Sequence, residues 1–119
     1  MTPKPSIQPT PKTSRAARNK IRTVAELAEI SRQLRQQGQT VVLCHGVYDL
    51  VHMGHVRHLE AANREGDILI VTVTADGHVN KGPGRPIFPD HMRAEMLAAI
   101  EYVDHVAINE DATAELALR

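Results

Sequence analysis

From Thr23 onward the spacing of apolar residues changes several times along the chain, and each change predicts an element. Val24, Leu27, Ile30 and Leu34 recur at helical spacing. Thr23 followed three residues later by Glu26 reads as a capping box, and Gly38 supplies the left-handed stop. "TVVLCH" (40–45) is a continuous apolar, β-branched run, as expected for a strand buried on both faces. A second helix is predicted over 53–65, with Val56, Leu59 and Ala62 facing the core and Gly66 ending it. "DILIVTVTA" (67–75) is a second buried strand. The glycines and prolines of "DGHVNKGPGRPIFP" (76–89) exclude regular structure and predict a shaped loop. Asp90 can cap a helix running to about residue 101, with Met96, Leu97 and Ile100 inward, and "VDHVAI" (103–108) is a third short strand.

Strand, helix, strand, helix, strand is the rhythm of a parallel α/β sheet with right-handed crossovers. The fold class expected is therefore α/β, a Rossmann-like parallel sheet with flanking helices. Ligands in such sheets sit at the carboxyl ends of the strands. That rule selects Cys44 to Asp49, Thr74 to Lys81, and Ala107 onward.

Composition narrows the picture. At 119 residues and 42% hydrophobic, the chain can bury one core and is too short for two. No apolar run approaches the roughly 18 residues that would span a membrane, so no membrane partner is expected. The N-terminus lacks the apolar stretch of a secretory signal. The single cysteine, Cys44, excludes an intramolecular disulfide and fits a reducing, cytoplasmic location; at a buried strand end it is expected to be inert.

A net charge of zero hides an asymmetry. Residues 1–22 carry Lys4, Lys12, Arg15, Arg18, Lys20 and Arg22 and no acid, which leaves 8 bases against 14 acids in the remainder. This segment is also rich in Pro, Ser and Thr, so it is expected to be a disordered basic tail, with one domain over 23–119. No aromatic residue is interleaved to stack on bases, and the body is acidic. Nucleic acid is accordingly not expected as the ligand.

Four of the seven histidines, His45, His52, His55 and His58, fall within "HGVYDLVHMGHVRH". Positions 52 and 55 are three apart, so on a helix both imidazoles project from one face near its N-terminus. Free backbone N–H groups and the helix dipole there attract anions, and Gly54 allows a phosphate to approach the backbone. The phosphate reading uses the strand end, the helix start, the glycine and the paired histidines together. A zinc site built from His52, His55 and His58 or His45 is the rival, and it gives Gly54 no role. Solvated surface histidines are the third reading. His58 lies a full turn further along, and His78, His91 and His105 have no spacing partner, so these are expected to be structural or solvated. Arg93 falls in the first turn of its helix, where the dipole disfavours a cation by about 0.3–1 kcal/mol. Something must hold it there, and an anionic ligand is a natural candidate.

"GVYDLVHMGH" resembles the G-x-F-D-x-x-H-x-G-H segment of the cytidylyltransferase-like nucleotidyltransferase family. "NKGPGRP" followed by "RAEMLAAIEYVDHV" resembles its sugar-phosphate branch, closest to the adenylyltransferase domain of bifunctional heptose-phosphate enzymes. Glycerol-3-phosphate cytidylyltransferases and FAD synthetases are more distant relatives. The resemblance covers about residues 39–112 and implies transfer of AMP or CMP from ATP or CTP to a phosphorylated acceptor, with pyrophosphate released and Mg²⁺ used. It implies catalytic roles for His52, His55, Lys81 and Arg93. Gly46, Val47, Tyr48, Asp49 and Gly54 would bind the nucleotide, with Tyr48 standing where Phe is usual. Asp49 could equally be a helix cap. Asp76 and Arg85 would meet the acceptor, and relatives commonly form dimers. Such relatives continue past the third strand to further strands and a Ser/Thr-rich turn. Here the chain stops at Arg119 in an expected helix from about Asp111, so its C-terminal strands are expected to be missing or supplied by another chain. A nucleotide-binding fragment without turnover is the non-enzymatic alternative.

Overall fold

The computed structural model describes residues 17–79, 84 and 86–110. Helix α1 (Val24–Gln36) leads into strand β1 (Val41–Gly46), helix α2 (Met53–Asn63) and strand β2 (Ile68–Thr74). A 3-10 turn (Asp76–His78), helix α3 (Asp90–Ala98) and strand β3 (His105–Asn109) complete the described chain. The strands pair in the order β1-β2-β3, all parallel, with Val41 opposite Ile68 and Ile70 opposite His105. This is the α/β, Rossmann-like sheet expected from the periodicity.

Strand alternation sends successive side chains to two cores. Leu69, Val71, Val73 and Val106 pack on one face with Leu59 and Ala62 of α2 and Ala94, Leu97 and Ala98 of α3. Ile70 and Ala107 pack on the other with Leu27 of α1, and Val41, Leu43 and Ile68 lie around them. At roughly 1.5–3 kcal/mol for each large apolar side chain removed from water, these two layers are what hold the helices on the sheet. The start and stop of α1 follow the sequence. Thr23 and Glu26 form the capping box, and Gly38 turns the chain with φ of 83°.

Three expectations change. Both apolar runs were expected to be buried on two faces. The centre of β2 is, from Leu69 to Val73, whereas β1 is half-buried with His45 exposed. Among the described residues β1 is an edge strand, and a β-branched apolar run does not itself reveal whether its strand is central. Asp90 does not cap α3. Pro89 holds that position without a side-chain bond, and the Asp90 carboxylate instead accepts from Asp76 N–H at 3.1 Å. Finally, the folded chain starts ahead of Thr23, inside the segment that composition assigned to the tail. Val106 N–H donates to Lys20 O at 2.9 Å and Arg22 N–H to Val106 O at 2.8 Å, while Ala17 and Ile21 pack on the larger core. The outer edge of β3 has backbone groups that need partners, and this segment supplies them.

Candidate functional site

The chain leaves β1 at Gly46 and reaches α2 through a turn whose centre is Tyr48. Tyr48 is the one non-glycine with positive φ among the described residues, at 53°. A bulky residue held in that region costs on the order of 1–3 kcal/mol and persists only where its surroundings dictate it. Its ring is buried over Gly46, where a Cβ would come within 3.0 Å of Tyr48 Cε2. The same ring meets His55 edge-on, with centroids 5.6 Å apart and planes at 62°. Burial, with a smaller contribution from Cys44, pushes the Tyr48 hydroxyl up to about 12, so it stays protonated in any physiological buffer. Burial likewise raises the Cys44 thiol.

At the start of α2 the two histidines cap the helix reciprocally. His52 Nδ1 accepts from Gly54 N–H at 3.0 Å, and His55 Nδ1 accepts from His52 N–H at 3.1 Å. A backbone N–H can only donate, so each Nδ1 must be the acceptor and each neutral ring carries its proton on Nε2. The rings lie together, with centroids 4.1 Å apart. Gly54 makes this possible: a Cβ at position 54 would sit 2.7 Å from His52 Cε1. The helix start thus differs from the expected one. Its Gly54 donor is taken up by an imidazole instead of being open to an anion, and the glycine accommodates that ring.

A cavity of about 440 Å³ is lined by residues 45–50 together with His55 and His58. Its size falls within the range of small-molecule sites. His58, expected to be remote, is therefore part of this wall, one helical turn after His55. His45 stands at the end of β1, inside the Cys44 to Asp49 stretch that the strand-end rule selects. Its Nδ1 lies 2.7 Å from Thr72 Oγ1 and its Nε2 lies 3.4 Å from Thr74 Oγ1, so hydroxyls of β2 hold both ring nitrogens. Among the described residues no three His, Cys, Asp or Glu side chains are grouped so as to hold a metal ion.

Arg93 sits behind the turn and not in the cavity. Its side chain is fully buried, with Nη1 donating to Val47 O (2.8 Å) and Thr74 O (2.7 Å) and Nε to Phe88 O (3.0 Å). Nη2 pairs with Asp76 Oδ1 at 2.7 Å. The cation that the helix dipole disfavours is held by the protein's own carbonyls and one carboxylate, and Asp76 is engaged in the same contact. Asp49 is also buried, and its Oδ1 accepts from Ile87 N–H at 2.8 Å and Phe88 N–H at 3.3 Å. Sequence spacing gave no signal for this arrangement, because its partners are backbone groups from three separate segments. Gly46, Val47, Tyr48, Asp49 and His55 come together at one place, with His52 and Gly54 beside them. Lys81 and Arg85 lie outside the described residues.

Comparison with known proteins adds four findings. The family model described as "Cytidylyltransferase-like" matches residues 43–117. The "Bifunctional protein HldE" of Methylococcus capsulatus is 47% identical over 94 residues, which is 77% of this chain and 20% of that protein. The protein of the same description from Syntrophotalea carbinolica is 39% identical over 101 residues, covering 82% of this chain and 21% of that one. The chain thus spans about a fifth of the length of these curated relatives. The crystal structure of the lipopolysaccharide core biosynthesis protein from Thermoplasma volcanium superposes with a TM-score of 0.58 at 27% identity, covering 62% of this chain and 61% of that chain.

Proposed function

This chain belongs to the cytidylyltransferase-like family of nucleotidyltransferases, and from that premise we propose that it transfers AMP or CMP from ATP or CTP to a sugar phosphate of the heptose 1-phosphate kind. In the step itself, an oxygen of the acceptor phosphate bonds to the α-phosphorus of the nucleotide. The bond from that phosphorus to the bridging oxygen breaks, and pyrophosphate leaves. The acceptor oxygen is already ionised, so the site has to align it and has no proton to remove.

The observation that carries this reading is the fixed tautomer of His52 and His55. Backbone donors occupy both Nδ1 atoms, which puts the proton of each neutral ring on Nε2, and the two rings lie together at the start of a helix. Such donors strengthen their bonds as charge builds on the phosphate oxygens, and each is worth about 2.7–4 kcal/mol in a transition state. In the same reading residues 46–49 wall the nucleotide, while Lys81 and Arg85 reach the phosphates. Arg93 and Asp76 act from behind that wall. Mg²⁺ belongs to the proposal as the companion of the triphosphate, since it dehydrates reluctantly and binds through phosphates and water. The described residues provide no cage of protein ligands for it. A homodimer is also part of the proposal, because among the described residues no strand pairs with the outer side of β1, and an apolar edge strand can recruit a second chain; light scattering reads it.

A pyrophosphate-release assay with ATP or CTP and candidate sugar 1-phosphates tests the reading. A second reading, nucleotide binding without turnover, draws on the cavity at the end of β1, which His45 and Gly46 help to line. Nucleotide affinity by calorimetry without any pyrophosphate release would select that one.

A further inference from the structure

We infer that Arg93 and Asp49 are positioning residues that hold the Tyr48 turn to the segment following β2, and that they set His55 through Tyr48. Three features support this. First, the two contacts bracket the strained residue. Val47, just before Tyr48, gives its carbonyl to Arg93 Nη1, and Asp49, just after it, hooks the N–H groups of Ile87 and Phe88. The positive φ at Tyr48 needs restraint of this kind on both sides. Second, both contacts converge on Phe88: Asp49 takes its N–H and Arg93 takes its C=O. One residue of the loop's far end is therefore gripped from the turn and from α3 together. Third, the same guanidinium binds Thr74 O and the Asp76 carboxylate, where the loop begins. Entry and exit of the loop are thus tied to the turn by one buried fork, a geometry that lysine's single ammonium cannot reproduce.

The consequence runs outward from the clamp. Tyr48, fixed in this backbone conformation, lays its ring over Gly46 and against the edge of His55. A displacement of residues 86–88 moves the Asp49 carboxylate and the Tyr48 ring with it, and His55 loses the surface that orients it. The loop and the imidazole respond as one unit. Only the consequence for phosphate chemistry rests on the function proposed above; the clamp does not.

The test uses the full 119-residue chain and the variants Arg93→Lys and Asp49→Ala, studied by NMR without ligand and then titrated with MgATP. In folded Arg93→Lys, amide exchange at Ile87 and Phe88 should accelerate by about tenfold or more, the size of one charge-assisted hydrogen bond. The Tyr48–His55 ring cross-peak should weaken or vanish, which a role confined to stability would not produce. An unchanged cross-peak in a folded Arg93→Lys protein overturns the inference. Should that variant not fold, Asp49→Ala, which removes the acceptor oxygens that hold Ile87 and Phe88, decides by the same cross-peak. In the titration, both variants should bind MgATP at least about tenfold more weakly than the parent chain. If the parent chain binds no nucleotide, the proposed function fails, and the cross-peak still decides the clamp.

Discussion

At the start of α1, Thr23 Oγ1 accepts from Glu26 N–H at 3.1 Å and Glu26 Oε1 accepts from Thr23 N–H at 2.9 Å. At the start of α2 a related capping pattern is made by His52 and His55: His52 Nδ1 accepts from Gly54 N–H at 3.0 Å and His55 Nδ1 from His52 N–H at 3.1 Å. Both pairs satisfy backbone donors that a helix would otherwise leave without partners. The difference lies in what each pair has left over. A carboxylate that accepts a hydrogen bond has no proton to offer, whereas an imidazole that accepts at Nδ1 still carries one at Nε2. The first cap is complete in itself. The second keeps ring protons next to a cavity and a strained turn, so under the proposed function one structural motif serves in one place as a cap and in the other as a cap and a site.

His55→Gln breaks this comparison most sharply. Glutamine at the third helical position preserves a capping box, so thermal stability should change by less than about 1 kcal/mol. Turnover in pyrophosphate release should fall by about 10²–10³, as for loss of one transition-state donor. A His55→Gln protein with the parent rate would make the start of α2 a cap and nothing more.

Gly54→Ala separates the two functions in another way. Alanine is the better helix former by about 1 kcal/mol, yet its Cβ would meet the His52 ring at 2.7 Å. Nucleotide affinity by calorimetry should therefore drop by about tenfold, while melting shows little of the destabilisation expected of a damaged helix. Unchanged affinity would mean that the His52 ring need not lie over position 54.

Thr23→Ala is the control at the other helix. It should cost about 1 kcal/mol in denaturant unfolding and leave turnover untouched. A fall in turnover beyond what the lost stability explains would show that the two helix starts are coupled.

The smallest expected effect is a pH dependence at that same cap. Hydrogen bonding to Thr23, opposed by a little desolvation and aided by Arg22, holds Glu26 below its ordinary value of 4.5. A carboxyl depressed in the folded state contributes stability above its unfolded value and loses it as pH falls through the folded one. Acid unfolding of Glu26→Gln should consequently be less steep below about pH 4.5 than that of the parent chain. Equal slopes would assign the carboxylate no part in the cap.

Much of the molecule is legible along the chain because it is local. Apolar period, Thr23 with Glu26, and Gly38 specify their elements through neighbours within a few residues. The H-x-G-H spacing likewise placed His52 and His55 at a helix start, since three residues on a helix leave side chains on one face. Two residues make contacts that the sequence did not suggest. Gly54 suggested close approach of a phosphate, and it instead makes room for an imidazole. Arg93 suggested a cation waiting for an anionic ligand, and it is buried among carbonyls.

What the sequence determined by itself, then, is the order and type of elements, the α/β sheet and the stretch that carries the histidines. These depend on period and short spacing, which survive in one dimension. Tertiary structure decided that β2 is central and β1 an edge, and that His45 and His58 join the cavity wall. It also decided that Asp49, Asp76 and Arg93 bind one another's neighbourhoods across 17 to 46 residues of chain. Those outcomes depend on which strand lies beside which and on backbone carbonyls and amides, groups that every residue carries and no sequence pattern marks.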